Sequence, residues 1–190
     1  MERLNIAVIV GSNRRDSLNR KLAQALAGML RAGIATTFVQ IDDLPLYNQD
    51  LEGDLPESVA RFKSEIAAAD GILFVTPEHN RSLPTVLKNA IDWGTRPHGE
   101  NVWRGKPGAI TGTSPGAIGT ALGQQHLRQV LGVLGVLVLG GEAYITYRPD
   151  LLDDDGTIAE ASTRAFLQGY IDDFASLTAR IAQPPLAGAA

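Results

Sequence analysis

Short apolar runs rich in β-branched residues alternate along this chain with stretches of helical spacing, and that alternation limits the fold more than any other feature. The strand-like runs are residues 4–10, 36–41, 72–76, 108–113 and 136–139. The first helical stretch, 17–32, carries Leu18, Leu22, Leu26 and Leu30 at every fourth position. Stretches 56–69 and 84–93 each open on a proline, whose missing N–H costs nothing in a first helical turn. A fourth helix is expected over 117–131 and a last one over 156–181, with Phe166, Tyr170, Phe174 and Leu177 on its apolar face. Parallel strands need long return connections, and right-handed crossovers lay those helices on both faces of the sheet. The expected fold class is therefore α/β: a three-layer, doubly wound, five-stranded parallel sheet in one domain over residues 1–182, with a frayed tail at 183–190.

A length of 190 residues suffices to bury a core without covalent staples, and there are no cysteines to supply them. That absence also removes thiolate metal sites and a cysteine nucleophile, and it fits a reducing, cytoplasmic setting. A net charge of -4 argues against a general nucleic-acid surface. The longest apolar run, near 130–139, is broken by glycines and is too short to cross a bilayer. His98 and His126 have no partner at metal-ligand spacing, so no metal is expected. The run Asp153-Asp154-Asp155-Gly156 lacks the later ligands of a calcium loop and reads as a solvated turn. Lys88 and Asp92 stand four apart and read as a surface pair. Trp93 and Trp103 read as core or subunit-interface aromatics near the ligand, with the interface preferred.

Doubly wound sheets bind ligands at the carboxyl ends of their strands, beside the point where strand order reverses. In the order 2-1-3-4-5 that point lies between strands one and three, and three polar turns converge there. The first, Gly11-Ser12-Asn13-Arg14-Arg15-Asp16-Ser17-Leu18-Asn19, leads from a strand into a helix N-terminus, whose unpaired N–H groups and dipole favour anions. It contains neither GxxxxGK[ST] nor GxGxxG, so hydroxyl, amide and Arg14 donors suit a terminal monophosphate better than a pyrophosphate. An ordinary capped connection is the plain alternative. The other two turns are 77–84 and 113–119, both rich in residues that fix backbone geometry.

GSNRRDSLN at 11–19, LPLYNQD at 44–50, TPEHNRSLPTVLKNAIDW at 76–93 and TSPGAIG at 113–119 together resemble the NADPH-dependent FMN reductase family. This is the flavodoxin-like group that includes bacterial quinone, chromate and azo-dye reductases, and the likeness spans residues 4–182. The resemblance implies an FMN cofactor, NADPH or NADH as hydride donor, and quinones or similar acceptors in a ping-pong cycle through flavin N5. It implies that Ser12, Arg14, Ser17, Leu18 and Asn19 hold the FMN phosphate. Pro77, Glu78, His79 and Asn80, with Ser82 nearby, would wrap the ring, and Ser114 and Gly116 would close its other side. Many relatives have Tyr at the position of His79 and Gly at that of Thr85. The resemblance also implies a homodimer that buries the helices after strands three and four. Tetrameric relatives add Arg and Tyr where this chain has Leu122 and Gln125. A second reading, from the binding class, is a flavodoxin-like electron carrier or flavin-binding regulator that turns over NAD(P)H poorly. A hydrolase on the same fold is disfavoured, since Ser114 sits in TSPG and not in a GxSxG elbow.

Overall fold

The computed structural model describes residues 4–182; the tail expected at 183–190 lies outside them. In chain order the elements are β1 (Asn5–Val10), α1 (Leu18–Gly28), β2 (Ala35–Val39), a 3-10 turn (Gln49–Leu51), α2 (Glu57–Ala67), β3 (Gly71–Val75), α3 (Thr85–Gly94), β4 (Pro107–Ser114), α4 (Ala121–Val133), β5 (Leu137–Val138), β6 (Ala143–Thr146) and α5 (Ala161–Ala182). All pairings are parallel, in the order β2-β1-β3-β4-β5, with β6 also on β4. The three-layer doubly wound fold and its strand order are thus as expected, and the fold is flavodoxin-like.

β1 and β3 are buried on both faces, which is why their sequences read as continuous apolar runs without alternation. One apolar layer joins Phe62 and Ile66 of α2, Trp93 of α3 and Leu127 of α4 to Phe74 and Ile110 of the sheet. The other packs Leu22 and Leu26 of α1 and Ile171 and Phe174 of α5 on Val8 and Leu73. Among the described residues no helix is long and apolar enough to cross a membrane.

Four expectations are corrected. The fifth strand is not one run over 136–139. Pro107 pairs with Leu137, yet Thr111 pairs with Ala143, so two extra residues interrupt the strand and divide it into β5 and β6. The Arg128 guanidinium spans the break, donating to the Leu139 and Gly141 carbonyls at 2.8 and 2.9 Å. Opposite the break, Ile110 would have both backbone groups unpaired. The Tyr170 hydroxyl serves both, accepting from the Ile110 N–H at 3.1 Å and donating to its carbonyl at 2.8 Å.

Next, the fourth helix begins at Ala121 and not near 117, because Gly119 takes φ 57 and Thr120 is still non-helical. The last helix begins at Ala161 and not at 156; Asp153 and Asp155 both accept from Thr157 and close a turn before it. On that helix Leu167 and Ile171 take the buried face, and Phe166 is exposed. Finally, Trp93 and Trp103 are fully buried and do not form an interface. Their indole N–H groups donate to Pro45 O (2.8 Å) and Ile91 O (3.0 Å), and buried indoles need such partners.

Candidate functional site

Since β1, β3 and β4 are neighbours and parallel, the turns that follow them share one edge of the sheet. Gly11 makes the close approach workable. Its N–H donates to Val75 O at 2.9 Å, and a Cβ there would sit 2.4 Å from Thr76 Oγ1.

In the first turn, Ser12 Oγ accepts from the Arg14 N–H at 3.3 Å, and the Arg14 side chain extends into solvent. Ser17 caps α1, its Oγ accepting from the Arg20 N–H at 3.2 Å. No acidic residue stands in the first turn of α1, and among the described residues the Leu18 and Asn19 N–H groups meet no acceptor. Asn19 is 3% exposed, and its carboxamide is committed to Thr113: Nδ2 donates to the Thr113 carbonyl and Oδ1 accepts from its N–H, both at 2.9 Å. Its side chain ties the start of α1 to the end of β4.

The turn after β3 is a tight hairpin. The N–H groups of His79 and Ser82 each donate to the other's carbonyl at 2.9 Å, with Asn80 (φ 50) and Arg81 (φ 65) at the corner. Two successive left-handed residues define a type I′ turn. Asn tolerates that region; for Arg81 it is strained. The Glu78, Asn80 and Arg81 N–H groups donate to nothing among the described residues. Pro77 is half-buried, its carbonyl accepting from the Thr76 hydroxyl at 2.9 Å, while the His79 ring is exposed.

Beyond β4, the Ser114 hydroxyl donates to Gly119 O, and Gly116, which is exposed, accepts from the Gly119 N–H at 3.0 Å. Thr113 is 1% exposed, and its Oγ1 is a buried hydroxyl with no partner among the described residues.

The segment LPLYNQD is held against α3 by two residues of that helix. Asn89 accepts from the Tyr47 N–H at 2.8 Å and donates to Pro45 O at 2.9 Å, and Trp93 meets the Tyr47 ring edge-on with centroids 5.1 Å apart. Lys88 and Asp92 pair at 2.7 Å on the exposed side, as their spacing suggested.

Residues 4–149 match the family described as NADPH-dependent FMN reductase. The chain belongs to that family. Over 174 residues it is 52% identical to a protein of a Burkholderia sp named 2-hydroxy-1,4-benzoquinone reductase, covering 91% of this chain and 95% of that one. It is 48% identical to a quinone reductase of Pseudomonas putida, over 90% of this chain and 93% of the relative. Among solved structures, the flavoenzyme NAD(P)H:(acceptor) oxidoreductase FerB of Paracoccus denitrificans superposes with a TM-score of 0.90 at 45% identity, across 93% of this chain and 98% of FerB.

An FMN reductase must hold a dianionic tail and a flat ring with carbonyl and imide edges, and the residues at this edge fit both. For the tail there is a helix N-terminus with no acid in its first turn and with unpaired N–H groups, and the exposed Arg14 lies in the loop that leads into it. For the ring there are unpaired backbone donors in the turn after β3. The partnerless Thr113 hydroxyl belongs to the same edge, and sequence reasoning missed it. Only its neighbours in TSPG carried a signal, since a threonine ending a strand looks like any other.

Proposed function

We propose that this chain is an FMN-dependent NAD(P)H oxidoreductase that delivers two electrons to quinones. One observation carries the reading: three turns on a single sheet edge, in a chain of this family, combine a helix N-terminus with no acid in its first turn with a rim of unpaired amides. Bound FMN supplies the hydride chemistry between NAD(P)H and the quinone, so no side-chain nucleophile is required.

The protein's part is placement and electrostatics. Arg14, Ser12, Ser17 and the Leu18 and Asn19 N–H groups hold the phosphate, with the Asn19 carboxamide fixing the start of α1 in place. Pro77 stiffens the turn, and the free Glu78 and Asn80 N–H groups present donors to one side of the ring, where they favour negative charge as it develops. Ser114 and Gly116 border the other side. Ser82 orients the turn, and His79, exposed at its tip, contacts the incoming donor or acceptor.

With Arg14, His79 and Gly116 all exposed, this edge would admit flat quinones and, on the same ground, chromate and azo compounds. A homodimer belongs to the reading: Val133 is 84% exposed on α4, continuous with Val130, Leu134 and Leu83 in one apolar strip. A tetramer finds less support, since Gln125 is occupied within the subunit by Glu142 and Tyr144 at 2.7 and 2.6 Å. The donor chemistry suits the cytoplasm.

Purified protein should carry about one FMN per subunit. Anaerobic titration should bleach it with NADPH or NADH, and added quinone should restore the colour. A colourless protein that FMN does not reconstitute removes the reading. Retained flavin with negligible NAD(P)H consumption in the presence of a quinone would make it an electron carrier instead.

A further inference from the structure

The Glu78 carboxylate does not face the open edge. Its side chain is 8% exposed, and Oε2 accepts from the Gly123 N–H at 3.0 Å. Gly123 is the third residue of α4, the position whose N–H a capping side chain ordinarily satisfies. Here α4 has no cap of its own. Thr120 makes no side-chain cap bond, its Oγ1 accepting instead from Gln124 Nε2 at 2.8 Å, and the first turn contains no acid. The missing anion comes from 45 residues away, out of the turn after β3.

Two further contacts lie along the same face of the helix. His126, one turn on, meets Ser82 Oγ at 3.1 Å. A Cβ at Gly123 would lie 3.1 Å from Ser82 O and 3.4 Å from Glu78 Cβ and Cγ, so helix and turn approach at a distance only glycine makes easy. The other Glu78 oxygen pairs with Arg81 at 3.3 Å, across the strained corner. The turn is thereby fastened to α4 at both ends and braced in the middle.

We propose that Glu78 is a positioning residue for the flavin-binding turn: seated on the N-terminus of α4, its carboxylate holds in place the turn that carries the free Glu78, Asn80 and Arg81 N–H groups. The proposal rests on the reading of this edge as the FMN site. Glu78 acts through α4, since its carboxylate is committed to the Gly123 N–H and to Arg81.

The test compares wild type, Glu78→Ala and Glu78→Gln in full-length protein stripped of flavin and titrated with FMN. Binding is followed by quenching of flavin fluorescence, and ring geometry by visible circular dichroism of the bound cofactor. Glu78→Ala should raise the FMN dissociation constant about tenfold, the loss of roughly one charge-assisted bond, and alter the visible dichroism. Glu78→Gln keeps an acceptor for Gly123 and should stay within about threefold of wild type, with the wild-type spectrum. Should Glu78→Ala fail to fold, Gly123→Ala moves the same joint from the helix side and should produce the same two changes. Wild-type protein that binds no FMN would defeat the flavin reading itself. Wild-type protein that binds FMN, beside a folded Glu78→Ala or Gly123→Ala variant with unchanged affinity and dichroism, would overturn this proposal and leave that reading standing.

Discussion

Arg14 and Tyr170 are both polar side chains, but one works at the edge of the molecule and the other in its middle. Arg14 is exposed and makes no ion pair among the described residues, so its removal should cost little stability. Arg14→Ala should nevertheless weaken FMN binding by about 1.5–3 kcal/mol, the worth of a charged hydrogen bond, as read by fluorescence titration. Tyr170 is 7% exposed, and its hydroxyl satisfies two backbone groups that the broken fifth strand leaves open. Tyr170→Phe should cost about 2–4 kcal/mol in urea unfolding, since both Ile110 groups lose their partner in the interior. Burial raises the Tyr170 pKa above its ordinary value of 10.0. A phenol whose folded pKa is raised contributes stability that is whole below the unfolded pKa and disappears as pH climbs through the folded one. Urea midpoints of the wild type should therefore fall as pH rises past about 10, and those of Tyr170→Phe should fall less.

At the level of elements, the turns after β1, β3 and β4 are each tied to a helix they do not precede in sequence, or to a strand far along the chain. Asn19 joins α1 to β4, and Glu78 joins the β3 turn to α4. Such ties were invisible in the sequence because an Asn in a phosphate-type turn and a Glu in TPEHN carry no label for a partner 94 or 45 residues away. The β5–β6 break was missed for a related reason. A run of apolar residues shows that a strand exists, while the two-residue slip against β4 depends on register, which only pairing reveals. Arg128→Ala should loosen this element selectively. Removing its bonds to Leu139 and Gly141 should cost about 1–2 kcal/mol and accelerate amide exchange over residues 139–146, with β1 and β3 left protected.

For the whole molecule, the apolar strip on α4 sets the expectation of a dimer. Val133→Asp should leave the folded subunit intact and shift sedimentation from dimer toward monomer, because a charge at that exposed position is costly only where a second apolar surface covers it. A wild-type protein that sediments as a monomer at every concentration would remove the dimer from the reading. Periodicity, proline placement and the alternation of strands with helices were enough to define the doubly wound sheet, since each follows from local spacing and the chirality of crossovers. The edge proposed for the ligand followed in turn from strand order, a rule that holds for the fold as a class. What the linear order could not contain was the environment of individual side chains. Both tryptophans, read as core or interface with interface preferred, are core, where Pro45 and Ile91 offer carbonyls to their N–H groups. The Glu78 carboxylate, on which the sequence carried no sign, is bound to the N-terminus of α4. Burial and hydrogen-bond partners arise from contacts between distant segments, and those come into being only when the layers have packed.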